Sequence, residues 1–337
     1  MMKHDSRPTA GHVRDGGQGE FAAGRGIAAS ASRPGSGRRS GGHGVGADHS
    51  GDDGASLREG PWQGGPSDPA PVGRRPLRGA VAAGTRTSAP TPTRLISVVT
   101  AVHAPGAHFL PAAYSSLVEQ LLPDGWDWQW VIQEDGESDQ VEPYVPDDPR
   151  ISFGQGRAGR SGMARTMALS RVTGEFVKVL DADDMLTPGA LARDLHALLD
   201  HPDSTWATSR ALDLLPDGSL VGFDDHPLEG YIERGTVLKH WQANGYLAQV
   251  HPASLFVRRD VLLALGGWMA LPASPDTGLL MALDAVSRGW FTAETGLLYR
   301  KWPGQVTSQP AHVQREERQA RMAVIEARAQ ALAALLG

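Results

Sequence analysis

Between residues 95 and 199, short apolar runs rich in β-branched side chains alternate with stretches of helical period, and this alternation leaves few architectures open. Residues 95–102 (LISVVTAV) have the length and composition of a buried strand. Residues 109–122 place Leu110, Tyr114, Leu117, Val118 and Leu121 at helical spacing, and Pro123-Asp124-Gly125 ends that run as a turn. Residues 128–133 and 150–153 read as further strands. Residues 161–172 read as a helix whose apolar side is Met163, Met167, Leu169 and Val172, and residues 175–180 as a fourth strand. A helix over 188–199 follows, with Pro188 in its first turn and Thr187 as its cap. Such β-α alternation predicts an α/β fold with a mostly parallel central sheet flanked by helices. Ligands of open sheets of this kind bind beyond the carboxyl ends of the strands.

Composition confines this fold to part of the chain. Residues 1–93 hold 20 of the 41 Gly, 9 of the 24 Pro and just two aromatics, Phe21 and Trp62. Such a segment has little to bury against a backbone ordering cost of about 1–2 kcal/mol per residue. It reads as a disordered extension with a net charge of +4, joined to an acidic body of net −10. Its arginines are scattered among acids with no aromatic interleaving, which argues against a nucleic-acid partner. The absence of Cys excludes disulfides, thiol nucleophiles and Cys-ligated metals. No apolar run approaches the roughly 20 residues of a membrane span. No secretory leader is visible, so the expected location is cytoplasmic.

The loops after the predicted strands carry the chemistry. Asp181-Ala182-Asp183-Asp184 places three carboxylates in four residues after a buried strand. Charges this close raise one another's pKa unless a cation lies between them. Mn2+ or Mg2+ is suited to that role, because both take oxygen ligands. Taken alone, an Asp-rich turn is more ordinarily a helix start. Two further segments shift that balance. Residues 159–169 (GRSGMARTMAL) offer glycines and Arg165 to a phosphate or nucleotide, against the plainer reading of Arg165 on a solvated helix face. Residues 131–139 (VIQEDGESD) set Glu134 and Asp135 at the end of another strand, where a polar turn is the alternative.

In this order the segments Glu134-Asp135-Gly136-Glu137-Ser138-Asp139, Ala164-Arg165, Gly174-Glu175-Phe176-Val177 and Leu180-Asp181-Ala182-Asp183-Asp184 resemble the family 2 glycosyltransferases of GT-A fold, of bacterial and non-processive type. The family's corresponding elements read roughly VDDGSxD, NxGxxxARN and GEYIxFLDADD. The resemblance runs over about residues 94–305. Downstream, residues 251–259 followed by Leu265-Gly266-Gly267-Trp268 resemble the family's acceptor-side segment. Ser274-Pro275-Asp276 sits where inverting members carry an ED pair, and residues 299–307 resemble YRxHxGxxT. No QxxRW segment of processive synthases is present.

The resemblance implies a metal-dependent, inverting hexosyltransferase that moves a sugar from a nucleotide-diphosphate donor to an acceptor hydroxyl. It implies that Thr100, Ala101 and His103 line the base and ribose and that Asp135 bonds the base. Asp181 would meet the ribose or the metal, Asp183 would ligate the metal, and Asp276 would be the general base. The alternative for Asp276 is a helix N-cap. His251, after a strand-like run at 246–250, is a candidate acceptor, phosphate or metal contact, with a structural histidine as the alternative.

Several positions depart from the family pattern: Glu134 for Asp, Glu137 inside the Gly-Ser pair, Thr166 for Asn and Pro275 for Glu. They keep open a non-catalytic, nucleotide-binding relative. A nucleotidyltransferase fits less well, because residues 103–106 are too short and uncharged for its phosphate loop. The expected organisation is a GT-A domain over 94–310 and a C-terminal helix over 311–337 packed on it. Basic residues there barely exceed acidic ones, so any membrane-surface contact is weak.

Overall fold

The computed structural model describes residues 94–223, 225–305, 307 and 314–336. By its contacts the chain divides into Met1–Ala80 and Val81–Gly337, and all described residues lie in the second unit. The extension expected over residues 1–93 lies outside the described residues.

The strands are β1 (Arg94–Val102), β2 (Trp126–Glu134), β3 (Ile151–Gly154), β4 (Phe176–Val179), β5 (Met185–Leu186), β6 (Ser204–Leu214), β7 (Leu220–Val221), β8 (Gly230–Ile232), β9 (Phe256–Arg258) and β10 (Arg288–Arg300). The helices are α1 (Leu110–Val118), α2 (Arg160–Ala168), α3 (Ala190–Asp200), α4 (Thr236–Ala243), α5 (Arg259–Ala264), α6 (Pro275–Val286) and α7 (Arg315–Leu335). One sheet runs in the order β3-β2-β1-β4-β9-β6-β10-β5, with β7 on β6 and β8 on β10.

The sheet is mixed, which corrects the mostly parallel expectation. β3, β2, β1 and β4 run parallel to one another, and β6 runs parallel to β10. β9 is antiparallel to both β4 and β6, and β5, β7 and β8 also pair antiparallel. The sequence periodicity captured the crossover units of the first half. The antiparallel members are two or three residues long and show no period of their own.

β1 explains the long apolar run. Side chains alternate across a strand. Ile96 and Val98 pack with Leu110, Leu117, Trp130 and Leu195 on one face, while Val99 packs with Val131, Val179, Leu279 and Trp268 on the other. Both faces are covered by helices, so neither can be polar. α7 joins the second face through buried Met322, Ile325 and Ala329.

Several local expectations shift. The α2 helix buries Gly162, Ala164, Arg165 and Ala168, and Met167 of its expected apolar side is exposed. α3 begins after Gly189 (φ 74°), so Pro188 precedes the helix and Thr187 does not cap it. The Thr187 hydroxyl instead bonds the Thr295 carbonyl of β10. The run 246–250 is no strand: Tyr246 has φ 69°, and its N–H closes a turn onto Trp241 O.

One buried ion pair ties the layers together. Lys178 of β4 donates from Nζ to Asp194 Oδ2 of α3 at 2.5 Å and to Ser254 O at 2.8 Å. Both side chains are buried, Lys178 at 0% and Asp194 at 1% exposure. Removing one partner strands a buried charge, whereas replacing both with apolar groups is often tolerated. Lys178→Met should cost about 3–5 kcal/mol in urea unfolding, and Lys178→Met with Asp194→Leu should recover most of that loss.

Candidate functional site

The loops after β1, β2 and β4 open on one cleft of about 680 Å3. Its lining includes Ala101, His103, Asp135, Asp181, Asp183 and His251. The start of α6 and the segment after β10 complete it with Asp276, Tyr299 and Trp302. Of the nucleotide, metal, base and acceptor candidates read from the sequence, all but Thr100 line this space. Thr100 lies on the Ile96–Val98 side of β1 and is fully buried, so it is misplaced as a nucleotide contact. Its Oγ1 donates to Leu180 O at 2.7 Å and accepts from Trp130 Nε1 at 2.8 Å, tying β1 to β2 and to the acidic turn.

Arg165 is not on a solvated face; it lines the cleft. Its side chain is 3% exposed and lies between two carboxylates. Nη1 donates to Asp276 Oδ2 at 2.9 Å, and Nη2 donates to Asp181 Oδ1. Burial opposes the guanidinium charge, and Asp276 and Asp181 together more than offset it, leaving its pKa above the ordinary value. α2 can come this close because Gly162 has no side chain: a Cβ there would lie 2.4 Å from Met269 O and 2.8 Å from Pro275 Cβ. Pro275 therefore serves as a packing contact at the first turn of α6.

The next residue, Thr166, fixes the third partner. Its Oγ1 donates to Trp268 O at 3.1 Å and accepts from Trp268 N at 3.0 Å. Trp268 Nε1 in turn donates to Asp276 Oδ1 at 2.8 Å. Asp276 sits in the first turn of α6, behind the N-cap position Ser274. Its pKa is raised by burial, with Arg165 acting against that rise.

Asp183 Oδ2 accepts from Trp302 Nε1 at 2.6 Å. Burial, and then the neighbouring Asp181, push the Asp183 pKa up. Asp184 is fully buried beneath them and accepts from Arg300 N at 2.9 Å, and burial raises its pKa well above the ordinary range. Asp184 is thus a structural residue and not a first-turn helix charge.

On the opposite wall, Asp135 Oδ1 accepts from Gly159 N at 2.6 Å and Arg160 N at 2.9 Å. Arg160 (φ 71°) and Ser274 (φ 60°) hold left-handed backbone without being glycine, and both line the cleft. Glu134 turns away from the cleft and accepts from Ser138 N at 3.0 Å and Gln155 Nε2 at 3.0 Å.

Among the described residues, no group of three or more His, Asp or Glu is arranged to hold a metal ion. His251 Nδ1 accepts from Ala253 N at 3.3 Å, and its ring lies 4.6 Å from that of Tyr299. Burial lowers the His251 pKa to about 4, with Asp181 opposing that fall. Sequence reasoning missed Trp268, Tyr299 and Trp302. Trp268 followed Gly-Gly, and the other two lay inside the YRxHxGxxT-like segment, with Trp302 at the His position.

Comparison with known proteins bears on the fold that carries this cleft. Residues 97–214 match the family described as Glycosyl transferase family 2, so the segment from β1 to β6 carries that homology. An uncharacterized protein, y4gI, of Sinorhizobium fredii (strain NBRC 101917 / NGR234) is 28% identical over 117 residues, which is 33% of this chain. The match spans 12% of that protein's length. Among solved structures, S. aureus TarS 1–349 in complex with UDP-GlcNAc superposes with TM-score 0.55 at 19% identity, covering 72% of this chain and 71% of that one. The same protein in complex with UDP gives TM-score 0.50 at 16% identity, covering 72% and 70%. These likenesses establish an α/β glycosyltransferase-like fold. Among the described residues, no helix is long and apolar enough to cross a membrane.

Two outcomes follow from the charges in the cleft. Arg165→Leu leaves two carboxylates facing each other without their cation and should lower unfolding free energy by about 3–5 kcal/mol in urea melts. His251 refuses a proton in the folded state that it accepts when unfolded. Its contribution is intact above pH 6.5 and should be lost as pH falls toward about 4. In His251→Gln that part of the slope of stability against pH should be absent.

Proposed function

We propose that this cleft is the active site of a GT-A glycosyltransferase that moves a sugar from a nucleoside diphosphate to an acceptor hydroxyl with inversion. The observation that carries the reading is the convergence of Asp135, Asp181, Asp183 and Asp276 from distant chain segments onto one cleft. Homology over residues 97–214 supports the transferase class. The UDP-GlcNAc and UDP held by TarS make uridine diphosphate sugars the first donors to test. We place the reaction in the cytoplasm, in line with a nucleotide-sugar donor.

Ala101, His103 and Asp135 would hold the nucleoside. The acidic turn suits a hard divalent cation: its donors are carboxylate oxygens, and burial beside Asp181 leaves the Asp183 charge under-compensated. Asp183, with Asp181, would hold Mn2+ or Mg2+, an ion that supplies neutralising charge to a departing diphosphate. Asp276 would take the proton of the acceptor hydroxyl. Arg165 and Trp268 fix its orientation through one oxygen each, and a carboxylate oxygen has a second lone pair for the hydroxyl. Attack from the side opposite the departing diphosphate inverts the sugar carbon.

A binding-only relative is the second reading, favoured by the engagement of both Asp276 oxygens. Calorimetry with UDP and Mn2+, followed by turnover assays on a panel of nucleotide sugars, separates the two. The enzyme reading expects UDP release from at least one donor. Asp276→Asn should retain UDP binding while turnover drops about 10²–10⁴-fold. Asp183→Asn should lose the Mn2+ dependence of binding. UDP binding without turnover of any donor would establish the second reading.

A further inference from the structure

We propose that Ser274 is a specificity-determining contact whose hydroxyl bonds a hydroxyl of the donor sugar. The inference rests on the function proposed above and names the part of the substrate that this wall of the cleft reads. Ser274 immediately precedes α6, and its backbone is left-handed, at φ 60° and ψ 32°. A residue with a Cβ is disfavoured in that conformation, whereas glycine adopts it freely. A serine at a helix N-cap ordinarily has extended backbone, and its oxygen accepts from an N–H of the first turn. The Ser274 hydroxyl makes no such bond. The position therefore suits a glycine, and the serine there does not cap its helix. Residues held in such conformations cluster at active sites and ligand clamps.

The surroundings indicate what the hydroxyl meets. Ser274 lines the cleft, and among the described residues no protein group bonds its Oγ. The hydroxyls of Ser161 and Thr277 line the same cleft and are equally without a protein partner among the described residues. Gln305 lines it too, at 6% exposure, with a side-chain amide that no described group bonds. Buried polar groups without partners are rare in folded chains. These four share one chemistry: each is uncharged and can both donate and accept a hydrogen bond. The hydroxyls of a pyranose ring have the same two capacities. A phosphate or carboxylate would instead be matched by cationic donors.

The position of Ser274 selects the donor sugar. The next residue, Pro275, lies against Gly162 of α2. Three residues before Gly162, Gly159 N donates to Asp135 on the wall assigned to the nucleoside. Asp276, assigned to the acceptor proton, comes two residues after Ser274. Ser274 thus falls between the nucleoside wall and the group that meets the acceptor. The donor sugar occupies that interval, because its anomeric carbon must be held between the departing diphosphate and the attacking oxygen.

Binding of nucleotide sugars to the full chain, without acceptor, tests this. The ligand is whichever of the UDP-, GDP- and dTDP-linked hexoses the unaltered chain binds most tightly, and the control is the matching nucleoside diphosphate. Ser274→Ala removes the hydroxyl and keeps a Cβ. It should weaken the nucleotide sugar about 3–10-fold and leave the diphosphate unchanged. Ser274→Gly should show the same loss and melt about 2–4 °C higher, because glycine relieves the left-handed backbone. Melting curves on both variants establish folding. A purely structural serine would give that rise in melting temperature with no change in the ratio of the two affinities, and this result overturns the inference. Equal weakening of the nucleotide sugar and the diphosphate overturns it as well. Both of these results leave the transferase reading standing. If no nucleoside diphosphate binds the unaltered chain, the transferase reading falls and the inference falls with it.

Discussion

The guanidinium of Arg165 joins two carboxylates that the chain brings from far apart, Asp181 on the turn after β4 and Asp276 at the start of α6. Each of the three groups is costly to bury alone, and together they are compensated. Much of the local architecture is explained by that need. α2 must approach the 269–275 segment closely, so Gly162 has no side chain. Thr166 must hold the Trp268 backbone, so that the indole N–H reaches the second oxygen of Asp276. The same stretch of α2 therefore sets the position of one cleft acid and limits the rotation of another.

A second buried charge extends this control to the cleft's far edge. Lys178 bonds Ser254 O as well as Asp194. Ser254 Oγ donates to His251 O at 2.7 Å, closing the turn that presents the imidazole. Burial lowers the His251 pKa to about 4 and raises that of Asp183, so charge in this part of the cleft is poorly solvated. Added positive charge is worth more in such a setting than in water.

Much of this was legible in the sequence, for a physical reason. The parallel half of the sheet is built from long runs whose periods are strong. The strand-end acids Asp135, Asp181 and Asp183 fall at the carboxyl ends where open sheets place their sites. The unread parts share a different property. Thr100 sits one residue from Ala101 but on the opposite face of β1, and alternation puts it in the core and not in the cleft. The carboxylate partners of Arg165 lie 16 and 111 positions away, beyond the reach of any local pattern. Trp268 and Trp302 act through the direction of one N–H, which no local pattern encodes. The antiparallel strands are too short to show a period, so the sheet's mixed character emerged from the pairing.

The most direct measurement is a crystal structure of the chain grown with UDP and Mn2+. The account predicts the uracil and ribose beside Asp135 and Ala101, the diphosphate at Asp183, and the Arg165 bridge to Asp181 and Asp276 intact. A nucleotide bound elsewhere on the molecule, or a cleft in which Arg165 has left both acids to grip the diphosphate, would contradict it.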